Sequence, residues 1–239
     1  VEANYATKKE ASRYANINYD IFNRFIRKFI YKKKSDIRTN KEEATLFLPK
    51  YSDMDNVYLE GYWQCEKYFS EIKNEIREIF EFPKLDNKNY LIRNKIVETS
   101  SVSLHVRRGD YLSGNQKNNT RHLGGVCTKR YYMNSISFIK NKVDNPTIFI
   151  FSDDINWCKN NFDFDNMVFV EGNYDKDSYK DMQLMSLCKN NIIANSSFSW
   201  WGAWLNSKED KIVCAPDRWY SDGYSGDIVP NRWNEISTR

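Results

Sequence analysis

The second half of the chain alternates short apolar runs with segments of helical periodicity, and this alternation restricts the fold more than any other feature. The apolar runs predicted to be strands are 101–107, 147–151, 167–170, 191–194 and 211–215. The segments predicted to be helices are 129–142, 155–160, 178–188 and 198–206. Such alternation favours a parallel sheet covered by helices on both faces. The predicted fold class is therefore α/β.

The first half is charged and mostly helical in pattern. Apolar residues recur at helical spacing over 21–30, a second helix is predicted over 66–80, and 57–62 has the pattern of a short strand. The helix 21–30 is basic and amphipathic, which allows two interpretations. It either lies on a membrane surface or packs against a core with one solvated face.

A change in composition near 94–101 indicates a domain boundary. We predict a mostly helical domain over 1–97 and an α/β domain over 98–239. A chain of 239 residues is long enough for two modest domains, each with its own core.

Composition excludes several classes of protein. The net charge is +4, with 36 basic residues spread among 32 acidic ones, so nothing in it calls for a nucleic-acid partner. No apolar run reaches the roughly 18 residues of a membrane-spanning helix, and no signal peptide opens the chain. Five cysteines without CxxC spacing predict reduced thiols in the cytoplasm, and two histidines provide no zinc site.

A cluster of charged residues follows the first predicted strand of the α/β domain, within the segment His-Val-Arg-Arg-Gly-Asp-Tyr at 105–111. Arginine offers a rigid fork of donors that matches phosphate oxygens. Because side chains alternate along a strand, His105 and Arg107 would share one face and Arg108 the other, unless the strand ends first. The cluster indicates an anion site, with an ion pair to Asp110 as the structural alternative.

Two further polar clusters flank other predicted strands. They comprise Ser152, Asp153 and Asp154 after the run 147–151, and Asn195, Ser196 and Ser197 before the helix 198–206. In a parallel sheet ligands bind outside the carboxyl ends of the strands, so all three clusters would meet at one edge. Arginines and a helix N-terminus suit phosphate, and carboxylates suit hydroxyl or ring N–H donors. The alternative is that these serines and aspartates only cap helices.

Asp181 is a carboxylate on the apolar face of a predicted helix. Leu184, Met185 and Cys188 follow at spacings that place them on the same face, so Asp181 should point inward. A buried carboxylate needs partners. Guanine would satisfy it through its N1–H and amino group, and an internal arginine or a backbone group is the alternative.

The segment 105–111 resembles the HxRRxDY signature of the α-1,2-fucosyltransferase family. Further segments that resemble family sequences are 181–188 with 192–203, which form the second signature, and 58–64 and 151–154. The likeness extends from about Val57 to Tyr220. The two long motifs together are highly specific.

The resemblance implies a GT-B-like architecture of two Rossmann-like domains, with 1–97 on the acceptor side and 98–239 as the donor domain with a tail. It implies transfer of L-fucose from GDP-β-L-fucose, with inversion and without a required metal or other cofactor. The expected acceptor is a hydroxyl of a galactose-containing glycan, O2 of a terminal galactose, in glycan or surface-polysaccharide synthesis. We expect a bacterial, cytoplasmic enzyme, and helix 21–30 leaves peripheral contact with the inner membrane as the alternative location.

The resemblance also assigns catalytic roles. The second arginine of the signature contacts the β-phosphate of the donor in related enzymes, which gives Arg108 this role, with Arg107 nearby. Asp110 is the nearest carboxylate of the motif and the candidate general base. Its alternative role is to hold one of the two arginines.

The remaining donor contacts come from the same comparison of motifs. The positions that match guanosine contacts are His105 and Asp181. The positions that match a phosphate contact at a helix start are Ser196 and Ser197, and the nucleotide-facing pair is Asp153 and Asp154.

One feature departs from the family pattern. Family members open with a glycine-rich GGLGNQ-type loop, which this chain lacks, and the chain begins at Val1 without an initiator Met. We therefore expect the amino-terminal Rossmann-like domain to be incomplete and activity to be impaired. The competing function is a non-catalytic carbohydrate-binding module, which would expose aromatic residues and carry no diphosphate site.

Overall fold

A computed structural model describes residues 63–112, 122–223 and 225–239, together with the short pieces 37–38, 47 and 59–60. The chain divides into two compact units. The first comprises Val1–Lys73 and Gly226–Ile228, and the second Asn74–Ser225 and Val229–Arg239. The main division between the units, at 73/74, lies earlier in the chain than the domain boundary that composition indicated at 97/98. The acceptor-side and donor-side assignments stay predictions.

The first unit contains a pair of short parallel strands, β1 (Ile37–Arg38) and β2 (Leu59–Glu60). It also contains two 3₁₀ turns at Glu66–Tyr68 and Ser70–Ile72. The Nζ atom of Lys67 lies 2.7 Å from Oδ1 of Asp227, which ties the two chain segments of this unit together. The predicted helix 21–30 lies outside the described residues, and β2 falls within the predicted strand 57–62.

The predicted helix over 66–80 is wrong in its first half. Phe69 leaves helical geometry, with φ −134° and ψ 17°, so the segment forms two separate 3₁₀ turns. A regular helix, α1 (Lys73–Ile79), forms only after them. The apolar spacing was helical, but the backbone at Phe69 interrupts it.

The second unit is built on a six-stranded parallel sheet. Its strands are β3 (Ser101–Val106), β4 (Thr147–Ser152), β5 (Met167–Phe169), β6 (Asn190–Ile192), β7 (Val213–Pro216) and β8 (Asn234–Ile236). Their order is β5-β4-β3-β6-β7-β8, in which the direction of winding reverses between β3 and β6. This is the strand order of the Rossmann fold, which places a crevice at the carboxyl ends of those two central strands. The α/β prediction and its five strands are confirmed.

Helices cover both faces of this sheet. They are α2 (Asn87–Glu98), α3 (Gly109–Leu112), α4 (Lys129–Lys140), α5 (Ile155–Asn161), α6 (Tyr179–Leu187) and α7 (Ser197–Leu205). One face packs against α4 and α5, and the other against α2 and α6. None of the helices in the described segments is long and apolar enough to cross a bilayer. All five cysteines are free thiols.

Strand β3 shows why the sheet needs both layers. All six of its residues are buried, and its side chains alternate between the two faces. Val102, Leu104 and Val106 join the core beneath α4 and α5. The opposite face carries serines and then His105, so the central strand presents polar atoms to the layer that contains α6. Burial of those atoms requires hydrogen-bond partners.

Asn191 on β6 supplies the partner of Ser103, whereas Oγ of Ser101 accepts from the backbone N–H of Lys189 at 3.0 Å. The side chain of Asn191 is fully buried, and its Nδ2 donates to Oγ of Ser103 at 2.7 Å and to the carbonyl of Met185 at 2.8 Å. Its Oδ1 accepts from Nδ2 of Asn206 at 2.8 Å, and the same Asn206 nitrogen donates to the carbonyl of Cys188 at 2.8 Å. This network joins β3, β6 and the ends of α6 and α7, the elements that carry the site described below.

We expect Asn191→Leu to destabilise the protein by about 2–4 kcal/mol, because it leaves buried groups of Ser103 and Asn206 without partners. Urea unfolding monitored by circular dichroism measures the change. The matched control is Asn160→Leu, at an exposed position of α5, for which we expect a change within about 0.5 kcal/mol. Equal stability of the two variants would contradict the role assigned to the network.

Candidate functional site

A cleft of about 620 Å³ lies at the carboxyl edge of the sheet, at the reversal between β3 and β6. Predicted site residues that line it are His105, Arg107, Asp110, Asp153, Asp181, Ser196 and Ser197. The three polar clusters therefore meet at one edge. The other two predicted residues, Arg108 and Asp154, do not line this cleft.

Arg107 is the guanidinium that faces the cleft. Its Nη2 lies 2.9 Å from Oδ1 of Asp110, and its Nη1 lies 3.2 Å from Oδ2 of Asp153. The ring of Tyr111 lies 5.7 Å from its Cζ. Two carboxylates thus hold the guanidinium in a defined orientation before any ligand arrives. About a third of the side chain remains exposed, at 34%, so it can still contact an anion.

Asp153 fixes the turn from which Arg107 extends. Its Oδ1 accepts from the backbone N–H of Arg108 at 2.9 Å, and its Oδ2 accepts from that of Gly109 at 3.0 Å. A Cβ at position 109 would lie 2.9 Å from that same Oδ2, so a larger residue there would displace the carboxylate of Asp153. Asp153 therefore acts in this structure as the clamp of the turn after β3, although the resemblance suggested a contact with the nucleotide.

Arg108 points away from the cleft. Its Nε lies 3.2 Å from Oδ2 of Asp154, and its Cζ lies 4.1 Å from the ring centre of Trp157. Asp154 also caps α5 through its Oδ1, which accepts from the backbone N–H of Trp157 at 3.1 Å. Arg108 instead lines a neighbouring pocket of about 250 Å³, which shares Arg107, Tyr111 and Leu123 with the cleft. Strand β3 ends at Val106, so the turn after it, and not the alternation of side chains along a strand, separates the two arginines. The catalytic role of Arg108 stays a prediction that its position does not favour.

The N-terminus of α7 forms another wall of the cleft. Ser196 occupies the N-cap position, but its side chain makes no capping hydrogen bond, and the residue is buried. The first N–H groups of a helix have no acceptor within it, and the helix dipole makes this end positive. Ser196 and Ser197 line the cleft here. This wall and Arg107 together make one side of the cleft suitable for an anion.

His105 carries a buried nitrogen without a hydrogen-bond partner. The residue is 4% exposed, lines the cleft, and its Nδ1 accepts or donates no hydrogen bond within the described part of the chain. Burial, together with the smaller effect of the positive charge of Arg107, lowers the pKa of His105 to about 3. The imidazole is therefore neutral at physiological pH. An unpaired buried nitrogen costs free energy, which a polar ligand atom would recover.

Asp181 lies on the same cleft and points inward, as its helical face predicts. Its Oδ1 accepts from Nδ2 of Asn173 at 2.7 Å. Burial raises the pKa of this carboxyl to about 7, while the bond from Asn173 and the charge of Lys88 act in the opposite direction. The partner is thus an asparagine, where the sequence had left an arginine or a backbone group open.

One wall of the cleft, the loop between β5 and α6, was not predicted from the sequence. Its lining residues are Asn173, Tyr174, Asp175 and Ser178. The loop contains two residues with positive φ, Gly172 at 85° and Asp175 at 51°. The sequence did contain an indication of this wall, because the polar residues of the loop directly follow a predicted strand and therefore lie at the carboxyl edge of the sheet.

No group of three or more histidine, cysteine, aspartate or glutamate side chains is placed to hold a metal ion in the segments that the structure describes. Metal-independent chemistry stays an expectation.

The fold and the cleft define an α/β protein with a ligand site at the switch point of a Rossmann-type sheet. The chain matches glycosyl transferase family 11 over residues 6–237 and belongs to that family. This confirms the family resemblance inferred from the two signature motifs.

Individual relatives agree with this assignment. The chain is 43% identical over 183 residues to an alpha-1,2-colitosyltransferase of Escherichia coli, which covers 74% of this chain and 61% of the relative. It is 36% identical over 179 residues to the O-antigen biosynthesis glycosyltransferase WbnK of Escherichia coli, with 72% and 58% covered. It is 25% identical over 168 residues to galactoside alpha-(1,2)-fucosyltransferase 1 of Ateles belzebuth, with 65% and 45% covered. The alignments thus span between 45% and 61% of these relatives. No solved structure matches the chain significantly.

The raised pKa of Asp181 has a consequence for stability. Between its ordinary pKa of 3.8 and the folded value of about 7, the folded protein holds a proton that the unfolded chain has released. The stability gained in this way is present at low pH and lost as the pH rises through about 7. We expect Asp181→Asn to remove this pH-dependent loss of stability. The free energy of unfolding of the variant should then exceed that of the wild type by up to about 4 kcal/mol as the pH rises through this range.

Urea unfolding at a series of pH values measures this difference. It should grow as the pH rises and then level off above about 7. Asp163→Asn, at an exposed position, is the matched control, and its free energy of unfolding should vary with pH as that of the wild type does. If Asp181→Asn also followed the pH dependence of the wild type, the carboxyl of Asp181 would have an ordinary pKa.

Proposed function

We propose that the protein is a glycosyltransferase that binds a guanosine-diphosphate sugar in this cleft and transfers the sugar to a hydroxyl in an α-1,2 linkage. One observation carries the proposal. The cleft joins a fixed guanidinium and a helix N-terminus, which suit a diphosphate, to a carboxylate and a neutral imidazole, which suit a base. Membership of the family and the names of its relatives support the same reaction class.

The diphosphate would lie between Arg107 and the first turn of α7. As the sugar departs, negative charge builds on the β-phosphate. Donors that are already oriented stabilise that charge without reorganisation in the transition state. Arg107 meets this requirement because Asp110 and Asp153 hold it. We therefore give Arg107, rather than Arg108, the contact with the departing phosphate.

The base would lie beside Asp181 and His105. Guanine offers an N1–H and an exocyclic amino group on one edge, and both can donate to one carboxylate. Such charge-assisted hydrogen bonds are stronger than neutral ones. Adenine offers no such pair of donors, so an ionised Asp181 would select guanine. The unpaired Nδ1 of His105 is available for a further contact.

We propose fucose as the transferred sugar, O2 of a terminal galactose as the acceptor, inversion as the outcome and a GT-B architecture for the complete enzyme. The support is the pair of signature motifs and the fucosyltransferase relatives. Colitose is the second candidate, because a relative at 43% identity is named for it. Asp110 stays the candidate base, and its ion pair with Arg107 supports the alternative role of holding that residue.

Isothermal titration without added Mg²⁺ tests the binding step. We expect GDP to bind and ADP to bind at least about tenfold more weakly. Arg107→Ala should weaken GDP binding by about 10- to 100-fold, the cost of one hydrogen bond to a charged group. Arg107→Lys should rescue it poorly, because an ammonium lacks the planar fork.

Arg108→Ala is the matched control in the neighbouring position, with an expected loss of less than about fivefold. A larger loss for Arg108→Ala than for Arg107→Ala would restore the assignment that the signature suggests. A carbohydrate-binding module would ignore GDP altogether, and that result would overturn the proposed function.

Product analysis tests the transfer step. We expect the full-length enzyme to transfer fucose from GDP-fucose to a panel of terminal galactosides, with α-1,2 products identified by NMR. Arg107→Ala should lower kcat by about 100- to 1000-fold, the usual effect of losing one preset charged contact in the transition state. A parallel reaction with GDP-colitose decides between the two donors. Products from neither donor would contradict the proposed sugar.

A further inference from the structure

Two buried asparagines connect the carboxylate of Asp181 to the first turn of α2. Asn173 donates through Nδ2 to Oδ1 of Asp181 at 2.7 Å and to Oδ1 of Asn89 at 2.8 Å. Asn89 donates through Nδ2 to Oδ1 of Asn173 at 3.0 Å and to both carboxylate oxygens of Asp86 at 3.0 and 3.1 Å. Asn89 is 1% exposed and Asn173 is 6% exposed. Each amide therefore gives one hydrogen to the other amide and one to a carboxylate.

This arrangement fixes the orientation of both amides. When both carboxylates are ionised they can only accept hydrogen bonds, and each NH₂ group then faces its own carboxylate. If the amide of Asn173 turned over, its carbonyl oxygen would face Asp181 and the bond to that carboxylate would be lost. Asn89 prevents this, because its own orientation is set by Asp86.

We propose that Asn89 is a positioning residue for nucleotide recognition, which holds Asn173 so that the Asp181 carboxylate is oriented toward the base of the nucleotide. This proposal rests on the proposed function. Asn89 is not among the residues that line the cleft, whereas Asn173 and Asp181 are. Its effect on a ligand must therefore pass through Asn173. The bond from Asn173 uses Oδ1 of Asp181 and leaves Oδ2 for a donor on the ligand.

The surroundings make this chain of hydrogen bonds rigid. Asp86 caps α2 by accepting from the backbone N–H of Asn89 at 3.0 Å. Lys180, the neighbour of Asp181 on α6, contacts Asp86 through Nζ at 2.8 Å. Lys88 donates to the carbonyl of Glu171 at the start of the loop. Helix α2 is thus attached to both the loop and α6, and Asn89 lies in the buried part of that attachment.

The charge state of Asp181 follows from the same geometry. The charged or titratable groups around it come from every neighbouring element. They are Lys88 on α2, Lys180 on α6, Tyr174 and Asp175 of the loop, His105 on β3, Arg107 and Asp110 after β3, and Asp153 after β4. Burial raises the pKa of Asp181 and the bond from Asn173 lowers it. Loss of that bond should raise the pKa further, so that less of the carboxylate is ionised near neutral pH.

The test compares GDP with IDP, which keeps the N1–H of guanine but lacks the amino group. Titration calorimetry from about pH 6 to pH 9 gives the two affinities and the pH midpoint of GDP binding. In the wild type we expect GDP to bind about tenfold more tightly than IDP, the value of one hydrogen bond to a charged group. In Asn89→Ala we expect this ratio to fall below about threefold and the midpoint to move to higher pH.

A double-mutant cycle shows whether Asn89 acts through Asp181. In an Asp181→Asn background, Asn89→Ala should change the GDP to IDP ratio by less than about twofold, because the carboxylate it positions is gone. Additive effects of the two substitutions would overturn the proposal. Asn87→Ala, at an exposed position in the same turn of α2, is the matched control and should leave the ratio and the midpoint unchanged.

A purely structural role of Asn89 would lower the melting temperature and leave the ratio and midpoint unchanged, and that result overturns the proposal. If the alanine variant does not fold, Asn89→Ser replaces it in the same titrations. Its hydroxyl can still donate to Asp86 but cannot reproduce the paired amide, so the same changes are expected. Failure of the wild type to bind GDP would instead overturn the proposed function. A wild type that binds GDP, with Asn89 variants that match it, overturns only the positioning role.

Discussion

The carboxylate of Asp153 sets the geometry on which the rest of the site depends. It accepts hydrogen bonds from two successive backbone N–H groups after β3 and pairs with Arg107. With the turn held in this way, Arg107 faces the cleft and Arg108 lies against Trp157 and Asp154. Two neighbouring residues of the same chemistry therefore have different surroundings. This difference follows from the direction of the turn, since both residues are arginines.

The cleft combines fixed positive groups with groups whose burial is costly. His105 is neutral with an unpaired nitrogen, and Asp181 is a half-buried carboxyl with a raised pKa. Neither arrangement favours the folded state by itself, because buried polar groups without full partners lose free energy. A ligand that pairs with both would recover part of that loss. The stability of the sheet comes from elsewhere, from the two apolar layers and the Asn191 network.

Several elements could be predicted from the sequence because their signal is local. Buried parallel strands are continuous apolar runs, so five of the six strands of the sheet were recognised. Strand β8 was missed because it is a short edge strand with polar residues. Helix α2 was missed because its apolar residues do not share one face: Tyr90, Leu91 and Val97 are exposed while Asn89 is buried. The predicted helix over 66–80 was half wrong because Phe69 breaks the helical backbone.

The amino-acid sequence by itself determined the α/β class, the family, and the residues that cluster after the strands, since apolar runs and contiguous motifs are local properties. It could not separate Arg107 from Arg108 by the alternation of side chains, because β3 ends at Val106, before both residues. Only the tertiary structure decided which arginine faces the cleft, that Asp153 clamps a turn, and that Asn89 and Asn173 support Asp181. Apart from the bond between Asn173 and Asp181, which lie 8 positions apart, those facts depend on contacts between residues 44 to 84 positions apart. Such contacts cannot be predicted from the spacing of residues along the chain.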